Sequence, residues 1–155
     1  MNGKIFTLRN LYQSGTEKLE KAGIREAKLD AWYLLEYKTG ISRAVFFADP
    51  DREVEEEKAE SYQKDICTRA RRIPLQHITG EQEFMGLNFK VNENVLVPRQ
   101  DTEILVEEAL KRIRPDMQIL DMCTGSGCIL ESILKFGEKK TDASERNRLR
   151  YFGRG

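Results

Sequence analysis

The sequence predicts a mixed α plus α/β chain, helical at its start and turning to strand-and-helix alternation after residue 74. Three observations carry this. Apolar residues recur at helical spacing through residues 7 to 71. From Phe84 they alternate at strand spacing. Ile119 to Ile129 then passes from an apolar strand through Asp121 and two glycines into a helix.

Taken in order, Thr7 is a cap for a first helix whose apolar positions are Leu8, Leu11, Tyr12, Leu19 and Ala22, and Gly23 is its stop. A second helix spans about Arg25 to Lys38, with Ala27, Ala31, Leu34 and Leu35 on one face and Gly40 as its stop. Trp32 and Tyr33 are expected in the core of that helical bundle. Ser42 caps a short turn through Ala44, Val45 and Phe46, and Pro50-Asp51 breaks the chain. A charged helix from about Arg52 to Arg71 has a buried stripe of Ala59, Tyr62, Ile66 and Ala70, leaving Glu55 to Lys58 as a solvated face. The whole reads as a small helical bundle over residues 1–73.

Residues 74–100 read as a linker carrying a β-hairpin. Its first strand holds Phe84, Met85, Leu87, Phe89 and Val91, its turn is Asn92-Glu93-Asn94, and its second strand is Val95-Leu96-Val97, ended by Pro98. Asp101 is expected to cap the next helix, whose apolar face is Ile104, Leu105, Ala109 and Leu110. After Pro115-Asp116, Met117 to Leu120 form a strand and Cys128 to Phe136 a helix.

The segment between that strand and helix, Asp121-Met122-Cys123-Thr124-Gly125-Ser126-Gly127, carries the chemistry. Its glycines allow a sharp turn and close approach of a ligand to the backbone. The helix that follows aims free N–H groups and about half a positive charge at that ligand. A dinucleotide loop needs a third small residue where Leu130 stands, and no Lys follows the glycines as a P-loop requires. What remains is the loop of a class I S-adenosylmethionine methyltransferase, with a generic βα turn as the alternative. Asp121 suits the ammonium group of that cofactor and the helix N-terminus its carboxylate.

Composition narrows the partners. Lys plus Arg and Asp plus Glu number 26 each in 155 residues, so neither a nucleic-acid footprint nor a basic membrane face is expected. No leader or membrane-length apolar run is visible, and three cysteines without C-x-x-C spacing fit a cytoplasmic protein with free thiols. His77 is the only histidine, which disfavours a His-based metal site or triad, and no metal is expected. Cys123 and Cys128 are read as small packing residues.

Three segments together resemble the release-factor glutamine methyltransferases, the HemK/PrmC family. The first is Arg71-Arg72-Ile73-Pro74-Leu75-Gln76-His77-Ile78-Thr79-Gly80-Glu81-Gln82-Glu83-Phe84-Met85-Gly86, similar to the family's linker signature, where aromatics commonly stand at positions 77 and 85. The second is Val97-Pro98-Arg99-Gln100-Asp101-Thr102-Glu103, where Gln100 replaces a usual Pro. The third is the loop from Asp121 to Cys128, where Cys123 takes a place often held by Gly. The helical start, with Leu29-Asp30-Ala31 and Gly40-Ile41-Ser42-Arg43, resembles the family's substrate-recognition bundle, and the match covers roughly residues 8 to 136.

The resemblance implies methyl transfer from S-adenosylmethionine to the side-chain amide of the glutamine in the Gly-Gly-Gln motif of class I peptide chain release factors. It implies an N-terminal helical substrate-recognition domain, the hairpin linker, and from residue 101 the opening βα unit of a truncated Rossmann-like domain. Cofactor contacts carried over are Asp121, Cys123, Thr124, Gly125, Ser126 and Gly127, with Arg99 orienting the loop or pairing at a helix start. Phe84 is either a wall of the site or a hairpin-core aromatic. Asp142-Ala143-Ser144-Glu145 resembles the family's ribose-binding Asp-Ile-Ser element, but Glu138-Lys139-Lys140 stands where its preceding apolar strand belongs. A remnant of the ribose ligand and part of a non-native tail are therefore both open for Asp142, the tail being preferred. The family's Asn-Pro-Pro-Tyr, which aims the amide nitrogen, is absent: the four prolines are isolated at 50, 74, 98 and 115. No catalytic residue is therefore assigned. From Gly137 onward the chain is basic and shows no apolar strand, so a gene fragment or frameshift with a non-native tail over about 137–155 is expected. Weak or no cofactor binding, no turnover by this chain alone, and a monomer are expected. The alternatives are a non-catalytic release-factor-binding chain and another class I small-molecule methyltransferase.

Overall fold

The computed structural model describes residues 5–114, 117–137 and, for the backbone, 150–154. The chain divides into two compact units, residues 1–79 and 80–155.

In the first unit, strand β1 (Phe6–Thr7) leads into helix α1 (Leu8–Lys21). Thr7 caps it as the sequence predicts: its Oγ1 accepts the Asn10 N–H at 3.3 Å. At the other end Gly23 adopts φ +70°. The Gly23 N–H bonds the Glu20 carbonyl at 2.9 Å and the Ile24 N–H the Leu19 carbonyl at 3.0 Å. This is a Schellman stop, and Ile24 is folded back into the core. Helix α2 (Ala27–Thr39) ends at Gly40 in the left-handed region, and helix α3 (Arg43–Ala48) follows. Phe46 of α3 stands edge-on to Tyr12 at 5.6 Å and to Trp32 at 5.3 Å between ring centres, which docks α3 against the preceding helices.

The fourth helix departs from expectation at its start. Arg52 was expected to begin it; instead β2 (Glu53–Val54) pairs antiparallel with β1, and helix α4 runs Glu56–Ala70. The reason lies in α1, whose first N–H groups need acceptors outside the helix. Leu8 and Arg9 donate to the carbonyls of Arg52 and Pro50 at 3.1 and 2.8 Å, which holds residues 50–54 extended. Within α4 the expected stripe is buried at Ala59, Tyr62 and Ile66, with Ala70 partly buried. Trp32 is in the core as expected, but Tyr33 is 47% exposed, because it falls on the side of α2 opposite the buried face of Ala31, Leu34 and Leu35. Helix α5 (Leu75–Thr79) closes the unit.

Helices α1, α2 and α4 pack on one another around this core. The tightest approach is between Gly15 and Tyr62: a Cβ on Gly15 would stand 2.1 Å from the Tyr62 hydroxyl. That hydroxyl is buried and donates to the Ala31 carbonyl at 3.4 Å. Asp30, also buried, accepts from Arg69 Nε at 2.7 Å, while Arg69 Nη1 reaches the Ile73 carbonyl at 3.1 Å. The start of α2 is thereby tied to the exit of α4.

In the second unit, β3 (Glu81–Phe84) and β4 (Leu87–Lys90) form an antiparallel hairpin. The predicted hairpin sat one strand too late: Val95–Val97 is not a strand. Met85 and Gly86 turn the chain, with φ of +53° and +69°. Both positive values mark the turn type whose twist matches paired strands. The sequence concealed it because Glu81-Gln82-Glu83 carries no apolar alternation. Helix α6 (Glu103–Arg112) follows a 3₁₀ turn over Gln100–Thr102. Asp101 lies inside that turn, and no side chain caps the helix at Thr102. The expected apolar face also shifts: Ile104 and Leu105 are exposed, whereas Val106 and Leu110 are buried with Ala109 and Ile113 against them. The spacing 106, 109, 110, 113 is the helical stripe that was passed over.

Strand β5 (Gln118–Met122) and helix α7 (Cys128–Gly137) form where the sequence places them, with β5 starting one residue later and running on through Asp121 and Met122, and α7 one residue longer. The expectation that no parallel strand follows does not hold. The backbone of β6 (Arg150–Arg154) pairs parallel with β5, from Gln118 opposite Arg150 to Met122 opposite Arg154. Tyr151 and Phe152 have the aromatic character that favours strands, which the basic flanks obscured.

Two measurements test the α1–α4 crossing. Gly15→Ala is expected to cost about 2 kcal/mol of stability, in the range of overpacked cores, read as a lower urea midpoint. Burial pushes the Tyr62 hydroxyl well above its ordinary range. The fold therefore favours the neutral phenol; this stability is complete below the unfolded value of about 10 and declines as pH rises beyond it. Tyr62→Phe is expected to remove that share of the alkaline decline in denaturation midpoints.

Candidate functional site

The turn from β5 into α7 is built from residues that tolerate left-handed backbone. Cys123, Gly125 and Gly127 have φ of +63°, +57° and +79°. The two glycines meet this requirement without strain, while Cys123 does so with a side chain. Little crowds the glycine positions: a Cβ on either would find its nearest neighbour at 3.9 Å. The backbone angle, not space, is what demands glycine there. Thr124 holds the loop from within. Its Oγ1 donates to the Asp121 carbonyl at 3.1 Å, and its own carbonyl accepts the Gly127 N–H at 2.9 Å. Glu131 N–H then bonds the Gly127 carbonyl at 2.9 Å, which starts α7.

Asp121 is the chemically exposed point of this arrangement. Its Oδ2 is buried and has no hydrogen-bond partner among the described residues. A desolvated carboxylate oxygen left in this state costs free energy, and a ligand's donor would recover it. Asp121, Thr124, Gly125, Ser126 and Gly127 are thus brought together at one strand-to-helix turn. Cys123 lies in it exposed, not packed as the sequence reading expects, because its position takes the left-handed backbone of the turn. Cys128, at the start of α7, is buried, as a packing residue should be.

The remaining sequence candidates fall elsewhere. Phe84 is 1% exposed and belongs to the core formed with Phe89, Val106, Leu110, Cys128 and Ile133. Its ring stands edge-on to Phe89 at 6.2 Å, so the hairpin-core reading describes its place. Arg99 is exposed, on extended backbone just before the 3₁₀ turn. Asp142 lies outside the described residues.

Sequence reasoning missed a link that steadies this region. Glu103, expected only as a first-turn acid, accepts the Met85 N–H at 2.7 Å. The hairpin turn, strained by a positive φ at Met85, is thereby fastened to the start of α6. A positive φ at a Met is not readable from sequence, so no local signal pointed to this contact. Among the described residues no cluster of His, Cys, Asp and Glu could hold a metal ion. No helix there is long and apolar enough to cross a membrane.

Among known proteins, the family model for the PrmC N-terminal domain matches residues 10–80 of this chain. The similarity continues past the first unit. The chain is 37% identical to the release factor glutamine methyltransferase of Geobacter sulfurreducens over 132 residues, 85% of this chain and 46% of that protein. It is 41% identical to the enzyme of the same name from Clostridium botulinum over 124 residues, 79% of this chain and 44% of that protein. The Caulobacter vibrioides enzyme of that name is 37% identical over 130 residues, 83% of this chain and 45% of its own length. The chain thus spans a little under half the length of these curated relatives.

Removing the Glu103 carboxylate should loosen the hairpin. Glu103→Ala is expected to cost about 1.5–3 kcal/mol, the range for a hydrogen bond to a charged group. Amide hydrogen exchange should show Met85 losing protection, with Leu11 and Leu34 in the first unit unchanged.

Proposed function

We propose that this chain carries the release-factor recognition domain and the opening of the cofactor domain of a release factor glutamine methyltransferase. The observation that carries the reading is the similarity to enzymes of that name, which extends over as much as 85% of the chain. The reaction is transfer of a methyl group to the glutamine amide of the Gly-Gly-Gln motif in class I release factors. The first unit acts as a helical substrate-recognition bundle. The β5–α7 unit acts as the start of a Rossmann-like sheet. The protein works in the cytoplasm, as a monomer, without direct contact to nucleic acid.

The residues of the loop fit S-adenosylmethionine. Asp121 offers a buried oxygen that lacks a donor, suited to the cofactor's ammonium group. The N-terminus of the ten-residue α7 faces the same loop and suits the carboxylate. Gly125 and Gly127 leave the backbone bare for close approach. Cys123, Thr124 and Ser126 complete the lining, and S-adenosylmethionine, when bound, supplies the methyl group. Phe84 supports the loop from the core behind Cys128, and Arg99 orients the approach to it.

An amide nitrogen is a weak nucleophile, so the reaction depends on aiming it. The family uses Asn-Pro-Pro-Tyr for this, and the 155 residues contain no such motif. By itself, therefore, the chain recognises its substrate without methylating it. The test is retention of a class I release factor on the immobilised chain, followed by incubation with radiolabelled S-adenosylmethionine. Retention without label transfer is expected. No retention contradicts the recognition role, and label transferred by the chain alone contradicts the non-catalytic reading.

A further inference from the structure

We propose that Lys18 and Cys67 form a reversible covalent crosslink between α1 and α4 when the protein meets a peroxide. Lys18 Nζ donates to Cys67 Sγ at 2.8 Å, across 49 residues of sequence. Both groups are exposed, and both line a cleft of about 220 Å³ with Ser14, Gly15, Gln63 and Tyr62. Gly15 lets α1 approach Tyr62 closely at the edge of this cleft. It is large enough to admit a small oxidant to the sulfur. The other thiols lack this arrangement: Cys128 is buried, and among the described residues only Cys67 has a lysine amine at hydrogen-bond distance.

The chemistry closes in two steps. The sulfur of Cys67 attacks hydrogen peroxide; an S–O bond forms, the O–O bond breaks, and the departing hydroxide takes the thiol proton as water. The sulfur is oxidised to a sulfenic acid and the peroxide is reduced. Lys18, already in contact, gives up its ammonium proton to solvent, and the free amine then attacks that sulfur. An N–S bond forms, the S–O bond breaks, and hydroxide leaves with a nitrogen proton as a second water. The product is a sulfenamide that has lost two hydrogens relative to the starting pair. Condensation of a sulfenic acid with a nearby nitrogen is established chemistry, and here the nitrogen belongs to a side chain held against the sulfur. A small thiol reverses it by attacking the sulfur, which releases the amine and leaves a mixed disulfide that a second thiol clears. Closure fastens the crossing of α1 and α4 over the buried Tyr62. This inference stands apart from the methyltransferase reading.

Peptide mapping by mass spectrometry after treating the intact chain with hydrogen peroxide tests it. The expected result is a linked pair of peptides containing Lys18 and Cys67, lighter by two hydrogens and separated by dithiothreitol. The treated chain should also melt at a higher temperature than the untreated one. Lys18→Arg keeps the positive charge but lacks the nucleophilic amine, and Cys67→Ser lacks the sulfur; both side chains are exposed, so neither change threatens the fold. Each should abolish the linked peptides, and Lys18→Arg should carry Cys67 onward to sulfinic acid. No linked peptide in the parent chain, with Cys67 reaching sulfinic acid or an intermolecular disulfide as fast as in Lys18→Arg, would overturn the proposal.

Discussion

Turning a strand into a helix within five residues forces backbone into the left-handed region, and the second unit is organised around that demand. Cys123, Gly125 and Gly127 take the positive φ values. Thr124 bonds both ends of the loop, and α7 begins at once with Cys128 seated in the core. The turn leaves Asp121 at the strand end with one buried oxygen unpartnered among the described residues. An arrangement that gains nothing for the fold and withholds a hydrogen bond from a carboxylate fits a binding loop better than a connector. The hairpin and α6 serve this loop indirectly: Phe84 and Val106 share the core that holds Cys128, and Glu103 secures the turn beside Phe84.

The first unit rests on a different device. Its core is apolar side chains from three helices, brought close because Gly15 yields its side-chain volume to Tyr62. Polar contacts then specify how the chain leaves the helices. Asp30 and Arg69 are both largely buried, and such a pair contributes little net stability while costing much if one member is lost. Its use here is positional, since Arg69 also holds the Ile73 carbonyl at the exit of α4.

What could be read in the sequence follows from the range of the interactions involved. Helix stops at Gly23 and Gly40, the Thr7 cap and the stripe Ala59-Tyr62-Ile66 are local patterns and were legible. The candidate loop was legible for the same reason: its glycines and Asp121 are consecutive. The start of α4 was not, because the carbonyls of Pro50 and Arg52 are claimed by Leu8 and Arg9, more than 40 residues earlier. The hairpin was displaced because its turn places a Met at positive φ and its first strand is nearly all polar. The α6 face was misread because Ile104 and Leu105 are apolar yet exposed. Asp30–Arg69 and Lys18–Cys67 join residues 39 and 49 apart, which no spacing rule reports.

The central proposal is that the loop from Asp121 to Cys128 binds S-adenosylmethionine. The most direct measurement is a two-dimensional amide NMR titration of the chain with S-adenosylhomocysteine, run in parallel on Asp121→Asn. The account predicts small shifts, as weak binding gives, confined to residues 121–128 and the start of α7 and reduced in Asp121→Asn, with residues 8–70 unmoved. Shifts confined to the first unit, or identical titrations of the two chains, would contradict it.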